Sequence, residues 1–206
     1  AGLKVEDFKD TTWSEFMELS KKVMAANDVP MLTCSGGSEI VIEILQSAGA
    51  SPMVDGKVTL VDNAALKKAI ETYKQLIDEG IMADYTDWDQ YIASMNKGTA
   101  AGVIQGCWIM SSIQAAEDQA GKWAIVNMPK FLNATFGADV DLYDDLLVNA
   151  GAIASYLPAA QSETYNDGNE FYGGQAVYKD IVEFAGRVPG IDYGAYYSDI
   201  RSALTD

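Results

Sequence analysis

Several places along the chain carry residue types that can recognise or transform a small molecule. Gly106-Cys107-Trp108 closes Ala100 to Gln105, a small, apolar run that reads as a strand covered on both faces. In an open α/β sheet, ligands bind beyond the carboxyl ends of the strands. A Trp at that point can lay its ring on the C–H face of a pyranose, or it can close the core, since aromatics dominate cores. Ser35-Gly36-Gly37-Ser38-Glu39 also lies between an apolar run and a helical pattern. Its backbone N–H groups and Glu39 suit hydroxyls or an anion, and equally suit a plain tight turn with an acid at a helix start. It lacks the Gly-Lys-Ser/Thr ending of a phosphate loop. Tyr193, Tyr196 and Tyr197, with Phe171-Tyr172-Gly173-Gly174 upstream, offer stacking faces and hydroxyls for a carbohydrate pocket, or simple packing. Asp139, Asp141, Asp144 and Asp145 are interrupted by Leu142 and Tyr143, so the calcium-loop order is not met and a solvated helix face is the better reading.

What is missing narrows the chemistry further. Histidine is absent, which removes every Ser-His or Cys-His mechanism and the commonest zinc ligand. No Gly-x-Ser-x-Gly elbow and no dinucleotide fingerprint occurs. Paired carboxylates are the enzymatic machinery in supply. A glycosidase needs two of them about 5–9.5 Å apart, and sequence alone cannot pick such a pair among 30 acids. With 14 basic residues the net charge is −16, so a phosphate backbone is repelled and no nucleic-acid partner is expected. Cys34 and Cys107 define no disulfide framework; they can be one bridge or free thiols, and free, mostly buried thiols are the favoured reading. The start Ala1-Gly2, with no leader pattern, is compatible with a processed or trimmed chain.

The elements that must position these residues follow from periodicity. The chain has 206 residues, 49% of them hydrophobic and 21% charged, as in ordinary globular domains. Trp13, Phe16, Met17, Ser20, Val23 and Met24 form one helical stripe, and Thr12 with Glu15 reads as a capping box. Val29 to Thr33 reads as a strand, Glu39 to Ala48 as a helix closed by Gly49, and Lys57 to Val61 as an edge strand. Asp62 and Asn63 cap a helix whose stripe is Leu66, Ala69, Ile70, Tyr73, Leu76 and Ile77, ended by Gly80. Trp88, Tyr91, Ile92 and Met95 mark another helix stopped near Gly98, and Gly106 leads into one ending near Gly121. Trp123 to Met128 reads as a strand. Asp139 to Val148, Phe171 to Arg187 and Tyr193 to Leu204 read as helices, with loop or extended chain over Asn149 to Tyr165. Strands alternating with helices predict an α/β layered domain with a mainly parallel sheet.

Taken in order, several motifs resemble one family. They are Thr12-Trp13-Ser14-Glu15-Phe16, Leu45-Gln46-Ser47-Ala48-Gly49-Ala50, Asn96-Lys97-Gly98-Thr99-Ala100-Ala101-Gly102 before Gly106-Cys107-Trp108, Lys122-Trp123-Ala124-Ile125 to Met128-Pro129, and Phe171-Tyr172-Gly173-Gly174-Gln175 before a Tyr-rich end with Arg201. The pattern is similar to the carboxy-terminal lobe of extracellular solute-binding proteins of sugar-type ABC importers, the maltose-binding-protein-like family. The resemblance implies a three-layer lobe, a mainly parallel sheet flanked by helices, in which aromatic rings stack on a sugar and acids bind its hydroxyls. It implies a single lobe over 1–206, with the main sheet and helices in 1–130 and completing helical segments in 131–206, the family's first lobe being absent. Trp108 resembles the family's stacking Trp, Gly37, Ser38 and Glu39 match its ligand-facing loop, and Tyr196 and Tyr197 lie where the last helix lends aromatics to the cleft. It further implies a monomer without cofactor or catalysis, a carbohydrate ligand, a membrane permease as partner, and an extracellular, lipoprotein or periplasmic location. Where the family has a returning strand, Lys130 passes directly to Phe131, so a segment is expected to be missing there. The alternatives are a carbohydrate-active enzyme with paired carboxylates and a lobe without ligand binding.

Overall fold

Helix α1 (Trp13–Asn27) starts where local rules place it. Thr12 Oγ1 accepts the Glu15 N–H at 3.3 Å, and Glu15 Oε2 accepts the Thr12 N–H at 2.8 Å, which satisfies two donors that the helix leaves open. Asp28, in the left-handed region at φ 56°, ends the helix. The buried face is Trp13, Phe16, Met17 and Ser20. A computed structural model describes residues 1–131 apart from 55 and 62, together with 168–187, 200 and 202–204. The expectations for Asp62, Asp139 to Val148, Asn149 to Tyr165 and Tyr193 to Tyr197 lie outside these residues.

Strands β1 (Leu32–Cys34), β4 (Met82–Asp84) and β5 (Gly102–Val103) form a parallel sheet in the order β4-β1-β5. Leu32 pairs with Met82 and Gly102, and Cys34 pairs with Asp84. Side chains alternate across β1 and separate two layers. Leu32 and Cys34 join a core with Trp13, Phe16, Ile44, Leu45, Leu66, Leu76 and Ile81. These come from α1, α2 (Gly37–Ser47) and α3 (Ala64–Asp78) and the approach to β4. Thr33 points the other way, where its hydroxyl accepts from Ser94 Oγ of α4 (Trp88–Asn96) at 2.9 Å. On that side Tyr91 and Met95 pack with Ile109 and Ile113. The result is helices, parallel sheet, helices, as the three-layer expectation requires.

The structure moves several expected boundaries. The first strand is Leu32–Cys34 and not Val29 to Thr33, because Pro30 has no N–H to give the ladder. The helix after it begins at Gly37, so Gly37 and Ser38 belong to its first turn and not to a loop. Lys57–Val58 forms β3, shorter than the expected Lys57 to Val61, and pairs with β2 (Met53–Val54) in a hairpin. Ile70 is 42% exposed although it falls in the α3 stripe. Only Gly102–Val103 of Ala100 to Gln105 pairs, and it is half-buried because it borders the sheet among the described residues. After Gly106 the chain makes a 3-10 turn (Cys107–Ile109), the short α5 (Met110–Gln114) and a second 3-10 turn (Glu117–Gln119) in place of one helix. Trp123 to Met128 makes no ladder. The Gln175 carboxamide serves it instead, accepting the Ile125 N–H and donating to the Ile125 carbonyl, both at 3.0 Å. The Phe171 to Arg187 pattern resolves into a 3-10 turn (Glu170–Tyr172), left-handed Gly173 and Gly174, and α6 (Val177–Ala185). Lys130 bridges to Thr12, and the Phe131 ring lies 6.4 Å from that of Trp13.

Candidate functional site

The carboxyl ends of β4, β1 and β5 open onto one face, and each strand delivers a segment to it. From β1 comes the turn into α2. Gly36 adopts φ 92°, open to glycine and strained for other residues, and a Cβ on Gly37 would run into the Tyr73 hydroxyl. Asp84, the last residue of β4, holds this turn. Its Oδ1 accepts the Gly36 N–H at 2.9 Å and its Oδ2 accepts the Tyr73 hydroxyl at 2.8 Å. Ser38 is 7% exposed and therefore faces the protein. Glu39 is half-buried in the first turn of α2, where the helix dipole favours an acid.

From β5 comes Gln105-Gly106-Cys107-Trp108. Gln105 spans the gap to the neighbouring segment: its Nε2 donates to Glu39 Oε2 at 3.3 Å and its Oε1 accepts the Gly106 N–H at 2.9 Å. Trp108 is 41% exposed beyond the strand end, the accessible position and not the core one. Its ring lies so close to Gly106 that a Cβ there would sit 2.8 Å from Trp108 Cδ1, which explains the glycine before it.

From β4 comes a residue that the sequence reading placed only in a helical stripe. Asp87 caps α4 by accepting the Gln90 N–H at 2.8 Å, and Trp88 is the first helical residue, 48% exposed. The Trp88 and Trp108 rings are nearly parallel, with 21° between planes and 5.8 Å between centroids, and Tyr91 lies 5.3 Å from Trp88. A usable signal existed, because each tryptophan lies in the helical turn that follows a short strand. It was hidden by Met82-Ala83-Asp84, which is too short to show alternation.

The surroundings are acidic and chemically quiet. Glu39, Asp84, Asp87 and Asp89 lie on these segments. Burial, then the neighbouring Asp84, pushes the Cys34 thiol well above its ordinary range, and burial raises Cys107 as well. Both cysteines are free, Cys34 buried and Cys107 half-buried, and not bridged to each other. Burial likewise raises the Tyr91 hydroxyl. Among the described residues no group of three or more His, Cys, Asp or Glu converges to hold a metal ion, and no helix is long and apolar enough to cross a membrane. Among the described residues the face offers aromatic surface, carboxylate and amide groups, and no thiol or hydroxyl whose pKa is lowered. Trp108, Gly37 and Glu39 come together here, Ser38 lies beneath the same turn, and Tyr196 and Tyr197 are outside the described residues.

The sequence profile of the bacterial extracellular solute-binding proteins matches residues 4–178. The chain belongs to this family. Its description is extracellular solute binding, which indicates a binding protein rather than an enzyme. The lactose-binding protein of Rhizobium radiobacter is 29% identical over 238 residues, covering all of this chain and 56% of that protein. The matched stretch is longer than the 206 residues here, so the relative carries residues without counterpart in this member. Among solved structures, the GacH receptor of Streptomyces glaucescens, studied unliganded and with acarbose, superposes with a TM-score of 0.70 at 12% identity. That match covers 99% of this chain and 59% of the receptor. It shows the periplasmic-binding-protein fold. This family member thus spans little more than half the length of either relative.

Proposed function

We infer that this chain is a carbohydrate-recognition lobe of the binding component of an ABC-type importer. The observation that carries the reading is the exposed, stacked Trp88–Trp108 pair at the carboxyl ends of three parallel strands. Two indole faces fit the C–H face of a sugar ring, and Glu39 with the Gln105 amide supplies acceptors and donors for its hydroxyls. The family supports a solute ligand, and the names of the lactose-binding protein and the acarbose-bound receptor support a neutral or weakly charged saccharide. A net charge of −16 disfavours anionic sugars. Residues 1–206 act as one lobe, Tyr196 and Tyr197 add aromatic surface, and the chain works as a monomer that meets a membrane permease.

Calorimetric titration with lactose, maltose, maltotriose, acarbose and a uronic acid tests this. Reversible binding of at least one neutral saccharide, with no product by chromatography, is expected. No binding to any of them contradicts the reading, and turnover replaces it with an enzyme.

A further inference from the structure

Three hydrogen bonds, joined by the backbone of the Gly36–Glu39 turn, link the strand ends. The path starts at Asp84 on β4, passes to the Gly36 N–H and the turn carrying Glu39, continues from Glu39 to the Gln105 amide, and ends at the Gly106 N–H beside Trp108. The successive separations are 2.9, 3.3 and 2.9 Å. The Trp88–Trp108 stack returns the path to the segment that begins at Asp84. A second bond, from the Tyr73 hydroxyl to Asp84, presses the phenol ring against the site where Gly37 would carry a side chain. Asp84 itself is exposed, so water can replace each of these bonds at little cost in stability. Water cannot replace the geometry, because the carboxylate fixes the turn and the phenol at once.

We propose that Asp84 is the positioning residue of this ligand face, setting the first turn of α2 and, through Glu39 and Gln105, the angle between Trp108 and Trp88. The proposal rests on the carbohydrate reading for its purpose and on the hydrogen-bond geometry for its mechanism. Pre-organised contacts bind more tightly because less ordering remains to be done on binding. Asp84 touches no ligand in this account; it acts through the residues that do.

The test uses the full chain and a readout that needs no ligand, the circular-dichroism couplet of the stacked indoles, beside a lactose titration. Asp84→Ala is expected to keep the helical signal, lose most of the couplet and bind lactose about tenfold more weakly. Asp84→Asn, which keeps an oxygen for Gly36 and an amide for Tyr73, is expected to restore both. A couplet unchanged in Asp84→Ala, or reduced equally in Asp84→Asn, overturns the proposal, because a merely stabilising residue would lower the melting temperature alone. If Asp84→Ala does not fold, Gln105→Leu cuts the path further along and must reduce the couplet with Asp84 intact; an undiminished couplet there overturns the proposal too. A wild-type chain that binds no lactose counts against that sugar as ligand, and the couplet still decides the positioning role.

Discussion

Trp13 and Trp108 both follow a short capping or turn sequence and open a helical segment, yet the fold treats them as opposites. Trp13 is 3% exposed, its indole N–H donates to Ser47 Oγ at 3.0 Å, and its ring meets Phe16 edge-on and Phe131 at a tilt. Trp108 is 41% exposed and leans on Trp88, a partner 48% exposed. Trp123 resembles Trp13 in giving its indole N–H to a side chain, Gln119 Oε1. The indole N–H groups of Trp88 and Trp108 have no acceptor among the described residues. A buried Trp with a bonded N–H is spent on packing. An exposed pair held in register keeps two faces and two donors for something else. Burial and hydrogen-bond satisfaction thus separate a tryptophan committed to packing from an exposed pair whose surface stays available.

The largest expected effect breaks the structural side. Trp13→Ala removes a buried ring from the core and its hydrogen bond to Ser47, and should cost about 3–5 kcal/mol in urea unfolding. Trp108→Ala should reverse the balance. It should weaken saccharide binding by about 2 kcal/mol in calorimetry while lowering stability by less than about 1 kcal/mol. A Trp108→Ala chain as destabilised as Trp13→Ala would erase the distinction.

Alkaline pH probes burial itself, because Cys34 and Tyr172 are both sealed from solvent. Burial first, then Asp84, raises the Cys34 thiol above its ordinary 9.0, and burial first raises the Tyr172 hydroxyl to about 12. The fold therefore prefers both groups neutral, and the unfolded chain ionises first as pH rises. Stability should be level below about pH 9 and fall by about 1 kcal/mol per pH unit above it, as read by denaturant midpoints. A midpoint that rises between pH 9 and 11 would contradict the sign. The smallest effect concerns salt: binding of a neutral saccharide by stacking and hydrogen bonds should change little between low and high ionic strength. Affinity that falls steeply with added salt would point to a charged ligand.

Much of the framework is legible in the sequence because local rules suffice for it. The Thr12–Glu15 capping box, the Asn63 cap of α3, whose Oδ1 accepts the Leu66 N–H at 2.9 Å, and the left-handed Gly80 all stand where their residue types require. The parallel sheet is less legible, because its strands are two or three residues long and share no alternation. Trp88 illustrates the cost. At helical spacing from Tyr91 and Met95 it reads as core, and only the position of β4 reveals that the first turn of α4 projects past the covered layer. Glu39 and Trp108 could be named from their place after apolar runs. The Asp84–Gly36 and Gln105–Glu39 bonds that unite them join residues 48 and 66 positions apart, and no local pattern encodes such a pairing.

The most direct test of the distinction is a two-dimensional proton–nitrogen NMR spectrum of the four indole N–H groups, assigned by single Trp→Phe substitutions and recorded during titration with a saccharide that binds. The Trp88 and Trp108 signals should shift together and saturably, while those of Trp13 and Trp123 stay in place. Shifts confined to Trp13 or Trp123, or a saturable saccharide titration that leaves Trp88 and Trp108 unmoved, would contradict the distinction.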